Sequence, residues 1–96
     1  MLPVYAFPAI ETEEVLDVLE ITVEQQDLII YNDDVNTFDF VIDSLVKVCK
    51  HESLQAEQCA ILIHNTGKCA VKRGEFTTLE PMCTALLDRG LSATIE

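Results

Sequence analysis

The strongest constraint on the fold is a change in the spacing of apolar residues near the middle of the chain. Residues 28–31 form a short apolar run with β-branched and aromatic side chains, which is typical of a buried strand. From residue 38 to residue 49 the apolar residues instead recur at helical spacing, and Asn36 and Thr37 are candidate N-caps for that helix. A strand that leads into an amphipathic helix indicates a mixed α and β fold.

The chain beyond this first helix alternates between the same two kinds of spacing. A second helix is predicted between Ser53, as its N-cap, and Gly67, as its stop. Its apolar residues become nearly continuous toward the C-terminal end, so we expect that end to be buried on several sides. Residues 69–71 have the composition of a second strand, and residues 91–96 alternate apolar and polar side chains as a half-exposed third strand does.

A third helix is expected before the final strand. Thr77 and Glu80 have the spacing of a capping box, and Gly90 is placed to end the helix. Pro81 should restrict where the helix begins, because an interior proline would break it. The predicted class is therefore α+β: a small two-layer sandwich in the order β-α-α-β-α-β, with a three-stranded antiparallel sheet and helices on one face.

Length and charge distribution divide the chain into two parts. Its 96 residues allow one domain at most. Residues 1–26 carry six acidic side chains and no basic one, and we expect them to be an acidic, flexible N-terminal extension. Residues 27–96 are predicted to form the ordered domain.

The net charge argues against two classes of partner. The chain has 17 acidic residues against 6 Lys and Arg, a formal charge of −11. Such a chain repels phosphate backbones and anionic lipids, so we expect neither nucleic acid nor a membrane as a partner. No apolar stretch reaches the roughly 18 to 20 residues of a membrane span, and the N-terminus lacks the positive region of a signal peptide. A cytoplasmic location is therefore expected.

The four cysteines do not have metal-site or redox-motif spacing. A zinc ribbon or a redox motif requires two cysteines that are separated by only two residues. No such pair occurs among Cys49, Cys59, Cys69 and Cys83. They lie in apolar, regularly structured surroundings, where a free cysteine packs as a small hydrophobic side chain. We expect reduced, buried thiols.

Polar residues whose side chains are able to form a functional site occur at two places. Three interpretations of them are open. Asn32, Asp33 and Asp34 follow the first strand, and His64 lies at the end of the second helix. The first interpretation is structural: these residues turn the chain and complement a helix dipole, and spacing alone favours this interpretation. Two carboxylates and a histidine also suit a divalent cation. Thirdly, they could bind a cation at the mouth of an apolar pocket with walls formed by Phe38, Val41, Ile63 and Leu91.

Three separated motifs resemble one known family. Residues 31–41, Tyr-Asn-Asp-Asp-Val-Asn-Thr-Phe-Asp-Phe-Val, strongly resemble the opening motif of the ClpS adaptors. Residues 64–68 are similar to the family's His-x-x-Gly-Lys element, and residues 91–96 are similar to its C-terminal strand. ClpS proteins present N-end-rule substrates to AAA+ unfoldases of the Clp protease, and their small α/β sandwich matches the element order predicted above.

The resemblance implies a non-enzymatic adaptor that needs no cofactor or metal. ClpS proteins bind the free α-amino group and first side chain of proteins that begin with Leu, Phe, Tyr or Trp. They dock on the N-terminal domain of the unfoldase, which would be ClpA or a ClpC-like protein, and their N-terminal extension helps to hand over the substrate. The positions associated with the α-amino group are Asn32, Asp33, Asp34 and His64. The positions lining the side-chain pocket are Tyr31, Asn36, Phe38, Val41, Ala60, Ile63 and Leu91.

The chain departs from the family pattern inside this pocket, and two rival functions remain. Phe38 and Ala60 stand where better-known members often carry methionine, and Asn36 stands where threonine is common. One rival is a plain interaction domain, since the element order also resembles the C-terminal domain of the ribosomal stalk protein. The other is a metal-dependent hydrolase that would use Asp33, Asp34 and His64.

Overall fold

Three strands and three helices follow one another in the computed structural model, which describes residues 24–96. The strands are β1 (Gln26–Tyr31), β2 (Lys68–Gly74) and β3 (Ser92–Ile95). The helices are α1 (Phe38–Cys49), α2 (Ser53–Thr66) and α3 (Phe76–Asp88). The predicted α+β class and the order β-α-α-β-α-β are confirmed. The predicted extension, residues 1–26, lies outside the described residues except for its last three positions.

The sheet has β1 at its centre, with both neighbours antiparallel to it, in the order β2-β1-β3. Ile30 pairs with Cys69 on one side and with Ala93 on the other. Because side chains alternate along a strand, Leu28 and Ile30 share one face of β1 and both are buried. The helices cover this face, so the whole core lies between the helices and one side of the sheet.

The core is apolar and is supplied by every element of the described fold. Its largest fully buried side chains come from the central strand and from α1 and α3. The sheet and these two helices therefore pack around one common core. These residues are Leu28, Ile30, Leu45, Leu79 and Leu86. A leucine buried in this way typically contributes about 2 to 5 kcal/mol relative to alanine.

Helix α1 begins at one of its two candidate caps, Thr37 and not Asn36. The Thr37 hydroxyl accepts a hydrogen bond from the Phe40 backbone N–H at 3.1 Å, so Thr37 is the N-cap. The helix ends at Lys50, which adopts the left-handed conformation with φ 62°. In the loop that follows, His51 is buried and its Nε2 donates to the carbonyl oxygen of Val71 at 2.7 Å. Because a carbonyl can only accept, Nε2 carries the proton, and this bond ties the loop to β2.

Two predictions about α2 are wrong. Ser53 is the first helical residue and not the cap; Glu52 occupies the N-cap position without a side-chain hydrogen bond. The C-terminal end is not buried on several sides either, since Ile61 is 45% exposed and Leu62 is 47% exposed. Only one stripe of α2 faces the core, because the sheet and α1 lie on the same side of it. A run of apolar residues does not reveal on how many sides a helix has neighbours.

The predicted start of α3 is also wrong. The helix begins at Phe76 with Glu75 as its N-cap, Thr77 and Glu80 form no capping box, and Pro81 lies inside the helix. A proline at this position cannot donate to the carbonyl of Thr77, one turn earlier. Both residues are exposed, so water can satisfy that carbonyl, and the buried side of the helix keeps its apolar contacts.

The cysteines divide into two pairs by burial. Cys49 and Cys83 are buried in the core, whereas Cys59 and Cys69 are half-buried beside it. Burial raises the pKa of the Cys49 thiol to about 11, so this side chain stays protonated at neutral pH. Among residues 24–96, no helix has both the length and the apolarity that crossing a membrane requires.

Arg89 ties the end of α3 to α1. Its Nε donates to the hydroxyl of Ser44 and its Nη2 to the carboxylate of Asp43, both at 2.8 Å. The guanidinium also lies over the Phe40 ring, 4.9 Å from its centroid. Ser44 is fully buried, so one arm of this contact reaches the edge of the core.

We expect Arg89→Ala to lower the free energy of unfolding by about 1 to 2 kcal/mol, because it removes two charge-assisted hydrogen bonds and a cation–π contact. Lys47→Ala is the matched control: Lys47 also pairs with Asp43, at 3.3 Å, but its side chain is 64% exposed. Exposed pairs contribute about 0 to 1 kcal/mol, so the control should change stability little. Urea unfolding followed by circular dichroism measures both, and equal effects would contradict the role given to Arg89.

Candidate functional site

A solvent-open cleft of about 490 Å³ lies where the loop after β1 meets the start of α1 and the end of α2. All but two of the predicted site residues line it. The lining residues are Asn32, Asp33, Asp34, Asn36, Phe38, Val41, Ala60, Ile63 and His64. Polar side chains are supplied by the loop and by His64, and apolar ones by the two helices, so the cleft has a polar part and an apolar part.

The polar part is assembled by a backbone contact between segments that are distant in sequence. The Asn32 N–H donates to the carbonyl oxygen of Gly67 at 2.8 Å. Gly67 ends α2 in the left-handed conformation, with φ 97°, and its own N–H donates to Ile63. A side chain at this φ would be strained, so glycine suits the position. The contact holds the loop after β1 next to the last turn of α2, which carries His64.

The carboxylate of Asp33 is engaged by its own loop. Its Oδ1 accepts the backbone N–H groups of Val35 at 3.0 Å and Asn36 at 2.9 Å. The Asn36 side-chain Nδ2 lies 3.2 Å from Oδ1 and 3.0 Å from Oδ2. These donors stabilise the charged form, and the pKa of Asp33 is lowered by the Asn36 backbone N–H above all, then by the Asn36 side chain. Asp33 thus closes a turn within the loop.

Asp34, Asn32 and His64 differ from Asp33 in this respect. Within residues 24–96, none of their side chains makes a hydrogen bond or an ion pair with the protein. A carboxylate, an amide oxygen and a neutral imidazole nitrogen are all acceptors. The cleft therefore presents three acceptors that can bind a donor from outside the chain.

The apolar part is continuous with the core. Val41, Ala60 and Ile63 are each at most 9% exposed and belong to the core cluster, so their positions are held by tight packing. Phe38, in contrast, is 43% exposed. A ligand that covers a phenylalanine ring with this much exposed surface lowers the free energy of the system, because apolar surface is removed from water.

Tyr31 and Leu91 are the two predicted site residues that do not line the cleft. Tyr31 alternates with the buried Ile30, so its ring lies on the other face of the sheet, where the hydroxyl donates to Glu96 and the ring lies 5.8 Å from the Lys68 Nζ. The hydrogen bond raises the pKa of Tyr31 and lowers that of Glu96. Leu91 is 4% exposed and packs in the core.

Gly90 is a residue whose part in the site the sequence did not reveal. Its carbonyl oxygen accepts a hydrogen bond from the Asn36 Nδ2 at 2.9 Å. A backbone carbonyl has no signature in a sequence; the only signal was a glycine after a helix, and the φ of 92° agrees with that.

The described residues give the metal-site interpretation no cluster to build on. No group of three or more His, Cys, Asp or Glu side chains in residues 24–96 is arranged to hold a metal ion. The Asp33 oxygens accept N–H groups from the loop, which leaves them less available as ligands. The cleft has acceptors suited to a hydrogen-bond donor and an apolar wall beside them.

We expect the Asp33 carboxylate to stabilise the fold at neutral pH and to lose that effect in acid. A lowered pKa means that the stability is present above the ordinary value of 3.8 and disappears as the pH falls through the lower folded-state value. In urea unfolding from pH 6 to pH 2, parent and Asp33→Asn should differ most at the upper end and converge at the lower end. Asp34→Asn is the control for net charge, and the same convergence there would contradict the assignment to Asp33.

Comparison with known proteins identifies the family. The family model for the ATP-dependent Clp protease adaptor protein ClpS matches residues 13–94. A solved structure, that of Agrobacterium tumefaciens ClpS2 bound to L-phenylalaninamide, is similar with a TM-score of 0.73 and 22% identity, covering 76% of this chain and 95% of that one. At this identity the likeness shows a shared fold. A search of the curated proteins gave no match. The family match covers most of the chain and includes every residue that lines the cleft, and the chain therefore belongs to the ClpS family of Clp protease adaptor proteins.

Proposed function

We propose that this protein binds N-degrons, that is, proteins with a free α-amino group and Leu, Phe, Tyr or Trp as the first residue. In this proposal it delivers them to a Clp AAA+ unfoldase for degradation by the Clp protease and performs no catalysis itself. The observation that carries the proposal is the pairing, in one cleft, of three acceptors that the described protein leaves unbonded with an apolar wall. That pairing fits the two chemical features of a protein's N-terminus.

The polar part of the cleft suits the α-amino group. This group has a pKa near 8, so it is mostly cationic at neutral pH and carries three N–H donors. We assign those donors to the Asp34 carboxylate, the Asn32 amide oxygen and a nitrogen of neutral His64. Acetylation removes the charge and two of the donors, which would make the cleft selective for a free N-terminus.

The apolar part suits the first side chain. Covering a Leu or Phe side chain with the apolar wall would contribute about 1.5 to 3 kcal/mol, and each of the three charge-assisted hydrogen bonds that the amine donates about 1.5 to 3 kcal/mol. Against these stands the cost of ordering the peptide. Together the two parts supply about 6 to 12 kcal/mol before that cost, a range that includes the roughly 8 kcal/mol of a micromolar Kd. After the ordering cost is subtracted, we expect neither part alone to reach that affinity.

The comparisons support this assignment in two ways. L-phenylalaninamide, the ligand of the similar Agrobacterium protein, has a free α-amino group beside a phenyl side chain. The family description names an adaptor of the ATP-dependent Clp protease, which supports an unfoldase of that system as the partner. We infer docking on the N-terminal domain of a ClpA- or ClpC-like unfoldase in the cytoplasm.

We also propose a division of labour along the chain. Residues 27–96 would form the adaptor domain that holds the substrate. Residues 1–26, with six acidic side chains and no basic one, would act as the extension that helps to hand the substrate over. The family model begins at residue 13, so it supports a family character for the second half of that extension.

The decisive test uses a fluorescent peptide that begins with Phe, together with its acetylated twin. We expect anisotropy to show binding of the free peptide at about micromolar Kd and at least about tenfold weaker binding of the acetylated one. Asp34→Ala and His64→Ala should each weaken the free peptide by about tenfold or more, with an unchanged circular dichroism spectrum.

Asp39→Ala is the matched control for these substitutions. Asp39 is an exposed acid in the first turn of α1 that does not line the cleft, so its loss removes one negative charge near the site and no group of the site itself. Equal binding of the free and acetylated peptides would reject the amine site and leave a plain interaction domain with this fold.

The volume at Ala60 should set which first residues are accepted. Ala60 is 2% exposed and lines the cleft, so Ala60→Met inserts a longer side chain into the space for the substrate. Overpacking costs about 1 to 3 kcal/mol, so we expect a Trp-first peptide to bind about tenfold weaker or worse, and a Leu-first peptide to lose less. Ala85→Met, on α3 and away from the cleft, is the control, and equal losses for Trp and Leu would contradict this role of Ala60.

A further inference from the structure

We propose that Asn36 is a positioning residue: it holds the loop of residues 32–36 in the orientation in which Asn32 and Asp34 receive the substrate's amino group. This inference rests on the function proposed above. We refer to the hydrogen bonds from the Asn36 side chain to Asp33 and to Gly90 as the Asn36 latch.

The latch uses both N–H groups of one carboxamide. The Asn36 Nδ2 lies 3.0 Å from Asp33 Oδ2 and 3.2 Å from Asp33 Oδ1 on one side, and 2.9 Å from the Gly90 carbonyl oxygen on the other. All of these partners are acceptors, so the nitrogen of the carboxamide faces them and the oxygen does not. Asn36 thus bridges the cleft loop and the turn between α3 and β3.

Both ends of the latch are anchored. On the loop side, Asp33 also accepts the backbone N–H groups of Val35 and Asn36, which closes the turn. On the far side, Gly90 donates its own N–H to Leu87 at 2.9 Å, and the preceding residue, Arg89, is held by α1. The latch therefore connects the loop to a turn that has little freedom to move.

The two loop residues assigned to the amino group, Asn32 and Asp34, depend on this support. Within the described chain, the side chains of Asn32 and Asp34 have no hydrogen-bond partner that would fix their direction, so the loop backbone must aim them. The backbone of Asn32 is held by Gly67, and the latch holds the other end of the loop. Without the latch, the loop would have to be ordered when the substrate binds, and that ordering cost would be subtracted from the affinity.

The test measures how much binding the amine contributes, and not binding as a whole. Two peptides are compared by competition: one that begins with Phe and its desamino analogue, in which a 3-phenylpropionyl group replaces the Phe. Their Kd ratio, desamino over amino, is the amine selectivity. Asn36→Asp keeps the size and an acceptor oxygen but removes both N–H donors and sets a second carboxylate against Asp33.

We expect Asn36→Asp to reduce the amine selectivity by about tenfold while the Kd of the desamino peptide changes by less than about twofold. Asp33→Asn should reduce it in the same direction, and the double variant should lose less than the two single losses combined, because both act on one contact. Val35→Ala is the control: Val35 is in the same loop but 85% exposed, and its side chain takes no part in the latch.

Each contrary outcome has a distinct meaning. Equal weakening of both peptides would show that Asn36 supports only the fold or the cleft wall, and it would overturn the proposal. Tighter binding of the amino peptide by Asn36→Asp would show that residue 36 contacts the amine directly, and it would also overturn the proposal. A selectivity near one in the parent protein would instead reject the amine site itself. If Asn36→Asp fails to fold, Asp33→Asn alone decides by the same ratio.

Discussion

The backbone hydrogen bond from Asn32 to the carbonyl of Gly67 is the contact on which the cleft depends. Together with the adjacent pairing of Tyr31 with Lys68 in the sheet, it holds the loop after β1 against the last turn of α2, and these two segments supply all the polar side chains of the cleft. Gly67 can present its carbonyl in this way because it ends α2 at φ 97°. Without this junction, His64 would be a histidine on an exposed helix end, and Asn32 and Asp34 would be residues of a surface turn.

Two adjacent aspartates in this loop have different surroundings, and the difference follows from their hydrogen bonds. Asp33 accepts four N–H contacts from Val35 and Asn36, and their donors lower its pKa. Asp34 accepts none from the described residues. In the proposed function, the Asp33 carboxylate therefore stabilises the loop and the Asp34 carboxylate binds the ligand. A loop without Asp33 would lose its conformation, and a loop without Asp34 would lose the charge that is available to the ligand.

The support for the cleft reaches well into the fold. Arg89 fixes the end of α3 against α1, the adjacent Gly90 accepts the Asn36 side chain, and Asn36 in turn bonds Asp33. The apolar wall is held differently, because Val41, Ala60 and Ile63 are core residues and cannot move without disturbing close packing. Phe38 is the exception: it starts α1 and keeps 43% of its surface exposed, so its ring is the part of the wall that a ligand would cover.

The sequence by itself determined the element order, two candidate caps for α1 (Asn36 and Thr37) and the residue types of the candidate site, since each leaves a local pattern. The resemblance of residues 31–41 and 64–68 to the ClpS motifs named the family, which the family match then confirmed. Only the tertiary structure decided which side chains face the same space. It placed Tyr31 on the opposite face of the sheet from Ile30 and left Ile61 and Leu62 exposed. It also accommodated Pro81 inside α3 at an exposed position. It also brought the Gly90 carbonyl to Asn36, a contact between a side chain and a backbone atom. The physical reason is common to all four: spacing reports the period of a helix or strand, whereas neighbours, solvent and backbone carbonyls are set by how the elements pack.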